Sequence, residues 1–117
     1  MKPYYILEPD HSVRVAESFD QWMLWVRKNF EDMEVALTIY PHCHVRTAFL
    51  GVEVQGEEGT NPPTVFETVI IGGPHDAKSV AAQSWAEAHH NHVRISELLA
   101  KETLTADSSD ALSPFME

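Results

Sequence analysis

Two rhythms of apolar residues run through this chain. Between residues 18 and 30, Phe19, Trp22, Val26 and Phe30 recur at steps of three and four, with Met23 beside them. That spacing predicts an amphipathic helix whose stripe faces the core. Ser18 is placed to cap its start, with Gln21 three residues on as capping-box partner. Asp20 near the start and Arg27-Lys28 near the end suit the helix dipole. The second helix is the clearest element. Ser84 and Glu87 form a capping box, and Trp85, Ala88, His92, Ile95 and Leu99 follow at steps of 3, 4, 3 and 4. It begins at Ser84 or as early as residues 78–82, and it ends near Lys101.

The other rhythm is that of β-branched and aromatic runs, which predict strands over residues 4–8, 34–40, 45–54 and 64–71. Pro9 places the first at a sheet edge, and Pro41 ends the second. The Gly/Pro-rich stretch 56–63 joins the last two as a hairpin with a long loop, and Gly72-Gly73-Pro74 closes the final run. The expected order is β-α-β-β-β-α. Consecutive strands favour antiparallel pairing, so the expected class is α+β: an antiparallel sheet of three to four strands with two helices packed on one face. Residues 1–101 make a single domain. Four acids, three serines and no base from Glu102 onward predict a loosely ordered acidic C-terminal tail over residues 102–117.

Length agrees with one domain: 117 residues hold one core and leave little room for a second. Charge narrows the partners. Eight Lys and Arg against eighteen Asp and Glu give a net charge of −10 with histidine neutral. The cations are scattered, so no basic patch exists to neutralise phosphates, and direct nucleic-acid binding is not expected. A basic protein partner fits an acidic surface; the bland reading is that the charge only keeps a small protein in solution. The single cysteine, Cys43, excludes an intramolecular disulfide. The N-terminus has no apolar signal-peptide core and no run approaches a membrane span, so the expected location is the cytoplasm.

Four constellations carry candidate chemistry. His42-Cys43-His44 alternates across a strand, so His42 and His44 share a side. Two imidazoles begin a zinc site, which needs a third ligand such as His75, Asp76 or one of His89, His90 and His92; the bland alternative is a polar turn after Pro41. Cys43 between two histidines is a candidate thiolate nucleophile, but adjacent residues on a strand point apart. His89 and His92 share a helical face, and His92 lies in the apolar stripe, where a histidine is more often a core residue bonded to a carboxylate or carbonyl. Glu67, inside a β-branched run, either faces solvent or needs a buried donor, and His92 is one candidate for an acid/base couple or a structural bond. Gly72-Gly73-Pro74-His75-Asp76 permits close backbone approach. It is not a phosphate loop, and no dinucleotide fingerprint or nucleophile elbow occurs anywhere in the chain.

Read together, Val45-Arg46-Thr47-Ala48-Phe49-Leu50-Gly51-Val52, Pro62-Pro63, Phe66-Glu67-Thr68-Val69, Gly72-Gly73-Pro74-His75-Asp76, Ser84-Trp85-Ala86-Glu87-Ala88 and His92 form a pattern. It resembles a group of small uncharacterised proteins encoded by tailed bacteriophages and prophages, whose pattern runs V-S-T-V-F-L-G-L, a Gly/Pro loop, F-E-T-M-V-F-G-G-x-x-D and T-W-E-E-A-x-x-G-H. The resemblance covers about residues 35–95. It implies a phage or prophage origin and places Glu67, Asp76, Trp85, Glu87 and His92 on shared positions. The chain departs at Arg46, Ala48, Val69, Ile71, Ala86 and Asn91, and the histidines at 42, 44, 89 and 90 match nothing in the pattern.

The expected function is therefore that of a non-enzymatic accessory protein. It acts on a host or phage protein, in one form as an inhibitor of a host defence protein through its acidic surface, with Glu67, Asp76, Trp85, Glu87 and His92 as binding residues. The alternative is a small zinc-binding protein or metal-dependent enzyme using His42, His44, His75, His89 and His92. A third is a homodimer, joined through the exposed side of the sheet or through Trp25.

Overall fold

The computed structural model describes the chain from Pro3 to Leu104. Strands β1 (Tyr5–Leu7) and β2 (Val13–Val15) form a small antiparallel hairpin. Helix α1 (Phe19–Asn29) runs into a single 3-10 turn, Phe30–Met33. Four strands follow: β3 (Glu34–Ile39), β4 (His44–Phe49), β5 (Phe66–Ile71) and β6 (Ser79–Ala82). They form one antiparallel sheet in sequential order, and α2 (Trp85–Leu104) lies across it. The class is α+β, with two helices packed against a four-stranded antiparallel sheet.

Two short strands add to the expected order, and both move a boundary. The first predicted strand pairs with β2 rather than with the main sheet. Residues 79–82, open to reading as an early start of the second helix, instead form β6 on the edge of β5. The capping box then starts α2 at Trp85: the Glu87 N–H donates to Ser84 Oγ at 3.1 Å, and the Glu87 carboxylate accepts from the Gln83 N–H at 2.7 Å. The far end of α2 also differs. The helix continues through Glu102 to Leu104, so the domain does not stop at Lys101; residues 105–117 of the expected tail lie outside the described residues.

Register fixes which side chains meet. Val45, Thr47 and Phe49 on β4 sit opposite Ile70, Thr68 and Phe66 on β5, all six buried. They face α2, whose Ala88, His92, Ile95 and Leu99 are buried against them, as the helical stripe requires. The other sheet face carries Leu37, Ile39, Arg46, Glu67, Val69 and Ile71. The core is thus one-sided.

Helix α1 departs from its expected stripe. None of its residues is buried, and Phe19 and Phe30 stand 51% and 68% exposed. The inward line is Trp22–Trp25–Asn29. Trp25 meets Phe49 edge-on at 5.7 Å, and Trp22 lies over Gly51 and packs on Tyr4 at 4.7 Å. Two indoles bury more apolar area than two phenyl rings, so they set the rotation of the helix. Trp25, named above as a candidate dimer contact, is half-buried, with part of its surface packed against the core.

Gly51 makes that approach feasible. Its φ is +75°, and a Cβ there would lie 2.6 Å from Trp22 Nε1. Gly51→Ala is expected to destabilise the fold by about 1–3 kcal/mol through backbone strain and the clash with the indole. A urea titration followed by tryptophan fluorescence reads it directly; an unchanged midpoint would contradict the packing of Trp22 on Gly51.

Candidate functional site

The five residues proposed for binding do not gather in one place. Glu67 and Glu87 line a shallow groove of about 510 Å³ beside β6, but the Glu87 carboxylate is spent on the helix cap. The Asp76 carboxylate accepts the Gly72 N–H at 2.6 Å and fastens its own loop. His92 is 4% exposed and lies inside the protein.

His92 and Glu67 are not a couple, because Glu67 points to the open face of the sheet and its neighbour Thr68 points to α2. His92 instead bonds to hydroxyls. Thr47 Oγ1 lies 2.8 Å from its Nδ1, Thr38 Oγ1 lies 2.9 Å from its Nε2, and Thr68 Oγ1 lies 2.7 Å from Thr47 Oγ1. A neutral imidazole donates from one nitrogen and accepts at the other, and hydroxyls can take either role. The expected core histidine is therefore present, with threonines in place of a carboxylate or carbonyl. Burial, and then the neighbouring His89, push its pKa below the ordinary value.

The histidine-rich segments are dispersed as well. His75 is buried in a pocket of about 110 Å³ beside Tyr40, Cys43, Leu99 and Glu102. Its Nε2–H donates to the Glu102 carboxylate at 2.8 and 3.0 Å, and its Nδ1 accepts from Lys78 Nζ at 3.0 Å. Both ring nitrogens are engaged, so neither serves as a base for Cys43. Burial and the charge of Glu102 push the Cys43 thiol up, the reverse of what a nucleophile needs. His42 and His44 flank Cys43 on the β3–β4 hairpin, and His89 stacks on Trp85 at 5.1 Å. No three His, Cys, Asp or Glu side chains among the described residues are placed to hold a metal ion together.

Trp85 leads to a different site. Its indole is stacked by two imidazoles, His89 from the next turn of α2 and His11 from the β1–β2 hairpin at 4.0 Å and 9°. His11 reaches it because its backbone is left-handed, with φ of +73°. The turn that holds it is tied by the Asp10 carboxylate, which accepts from Ser12 N–H at 2.9 Å and Ser12 Oγ at 2.6 Å; those bonds pull the Asp10 pKa down. Between this hairpin, Trp85, Trp25 and the end of α1 lies a groove of about 620 Å³.

Four carboxylates line the groove: Glu8, Glu31, Asp32 and Glu34. Glu8 is paired with Arg14, and Glu34 with Arg46 at 3.4 Å. Glu31 and Asp32, on the 3-10 turn, have no cationic partner among the described residues. The groove therefore sets the Trp25 indole and the histidine-stacked Trp85 indole beside two carboxylates without a cationic partner among the described residues, a combination suited to an ammonium or guanidinium group. Sequence reading found Trp85, and Trp25 only as a dimer contact, but missed His11, Glu31 and Asp32. The available signal was the run Glu31-Asp32-Met33-Glu34 directly after a helix whose end is basic.

No protein-family model, curated protein or solved structure matches this chain. No helix among the described residues is long and apolar enough to cross a membrane.

Proposed function

We propose that this protein works without catalysis, by holding a Lys- or Arg-bearing segment of a host or phage protein in the groove between the β1–β2 hairpin and α1. The observation that carries the reading is that Glu31 and Asp32, without a cationic partner among the described residues, line one groove with the indoles of Trp25 and Trp85. A cation over an indole contributes about 0.5–1 kcal/mol at an exposed site, and each exposed ion pair about 0.2–1 kcal/mol. Such contacts give modest affinity per side chain, so the occupant is a segment with several cations. The net charge of −10 speeds its approach, and that steering weakens with salt. The resemblance to phage-encoded proteins supports a host or phage partner, and inhibition of that partner follows if its basic segment is functional.

The test is a titration with a short Arg- and Lys-rich peptide, read by isothermal calorimetry, against the double variant Glu31→Lys/Asp32→Lys. Reversing both charges removes two attractions and adds two repulsions, an expected loss of about 2 kcal/mol, or roughly 30-fold in Kd. An unchanged Kd would reject the groove as the site. A neutral peptide of equal length should not bind.

A further inference from the structure

Strand β3 is an edge, and its hydrogen-bonding pattern shows which backbone groups are free. The Tyr40 N–H donates to the Cys43 carbonyl at 2.8 Å, so residues 40 and 43 are a bonded position across the two-residue Pro41-His42 turn. In an antiparallel pair, bonded and non-bonded positions alternate. Thr38 opposite Val45 and Ala36 opposite Thr47 are then bonded to β4, while Leu37 and Ile39 direct their N–H and C=O groups outward. No hydrogen bond to those groups occurs among the described residues.

The same two residues carry exposed apolar side chains. Ile39 is 75% and Leu37 45% exposed, on the sheet face that α2 leaves open. Native edges are usually blunted by Lys, Pro or a bulge. Here a register shift between Glu34 and Ala36 blunts only the start of β3, and residues 37–39 hold no charge and no proline.

We propose that this edge pairs with a second copy of the chain, antiparallel, about a two-fold axis through Thr38. The register is self-complementary. Leu37 faces Ile39 of the second copy twice over, and each of these outward positions exchanges both backbone bonds. Each copy's apolar pair covers the other's, and the two sheets join into one of eight strands. The copies each carry a net charge of −10, so pairing works against mutual repulsion and strengthens as salt rises. That salt response is opposite to the one expected for a basic partner in the groove, so the two readings stand or fall separately.

The test is sedimentation equilibrium of the full chain at low and high salt, with three variants. The wild type is expected to reach twice the 13.2 kDa chain mass, with association rising with salt. Leu37→Pro removes one outward N–H and no intramolecular bond, and edge strands accept proline there. With circular dichroism unchanged, it should remain a monomer, as should Ile39→Lys. Ile71→Lys alters the same open face two strands away and should still dimerise. A wild type that stays monomeric throughout overturns the proposal. So does a dimer that survives both β3 variants, or one that Ile71→Lys breaks equally, which would point to face-to-face packing.

Discussion

Phe49→Ala is expected to lower the unfolding free energy by about 3–5 kcal/mol, the range for deleting a buried phenyl ring. Phe49 is 1% exposed at the end of β4 and touches Phe66 across the sheet at 5.3 Å and Trp25 of α1 at 5.7 Å. Its cluster also holds Tyr5 and Leu7 of β1 and Ala88 of α2. Four other elements therefore share one cluster with this ring. Small domains are stable by about 5–15 kcal/mol, so the loss takes a large share of the total. It should also loosen the groove, because Trp25 loses the surface it rests on. Urea unfolding followed by far-ultraviolet circular dichroism measures the loss; a change below about 1 kcal/mol would mean that the cluster closes without this ring.

His92→Leu is the second large effect, and it has a pH signature. Leucine keeps the bulk but leaves the Thr38 hydroxyl without its partner and removes one of the two bonds of Thr47. A buried polar group left unpaired costs about 1–3 kcal/mol, which puts the expected loss near 2–3 kcal/mol at neutral pH. The sign of the pH effect follows from the lowered pKa of the native imidazole. Below the ordinary value of 6.5 the unfolded chain takes up a proton at His92 while the native state still refuses it. The His92 contribution to stability is thus complete above pH 6.5 and declines as pH falls from there toward the native pKa. His92→Leu removes this contribution, so the gap between wild type and variant should shrink on acidification. Paired denaturant titrations at pH 7.5 and pH 5 test it. A gap that grows toward pH 5 would mean that the native state prefers the charged ring.

Much of the architecture was legible because it rests on periodicity. The α2 stripe and its capping box need only residues within one helix, and both appear in the structure as spaced. The sheet follows from successive β-branched runs whose connections leave antiparallel pairing as the simple arrangement. The rotation of α1 was not legible. Two apolar stripes overlap on it, and only the presence of Phe49, twenty-four positions beyond Trp25, decides between them. Strand β6 was hidden for a similar reason. Ser79-Val80-Ala81-Ala82 fits helix and strand alike, and the free edge of β5 selects strand.

The site divides along the same line. His92 in an apolar stripe announced a core histidine, but its threonine partners lie 45 and 54 positions away on two strands. Glu67 next to a buried threonine illustrates the parity of a strand: one residue of register separates the open face from the interior. The groove combines a hairpin, a helix end and the start of another helix, so no local motif encodes it. His75 and Glu102 show how far such pairing reaches, joining the Gly-Gly loop to the last turns of α2 at 2.8 Å.

The most direct test of the account is a nuclear magnetic resonance titration of the isotopically labelled full chain with an Arg- and Lys-rich peptide, watching the three indole N–H signals. The Trp25 and Trp85 signals are expected to shift together and saturate, the Trp22 signal to stay in place, and the shifts to vanish in Glu31→Lys/Asp32→Lys. Shifts confined to Trp22 or to the open face of the sheet, or none at all, would contradict a cation-binding groove.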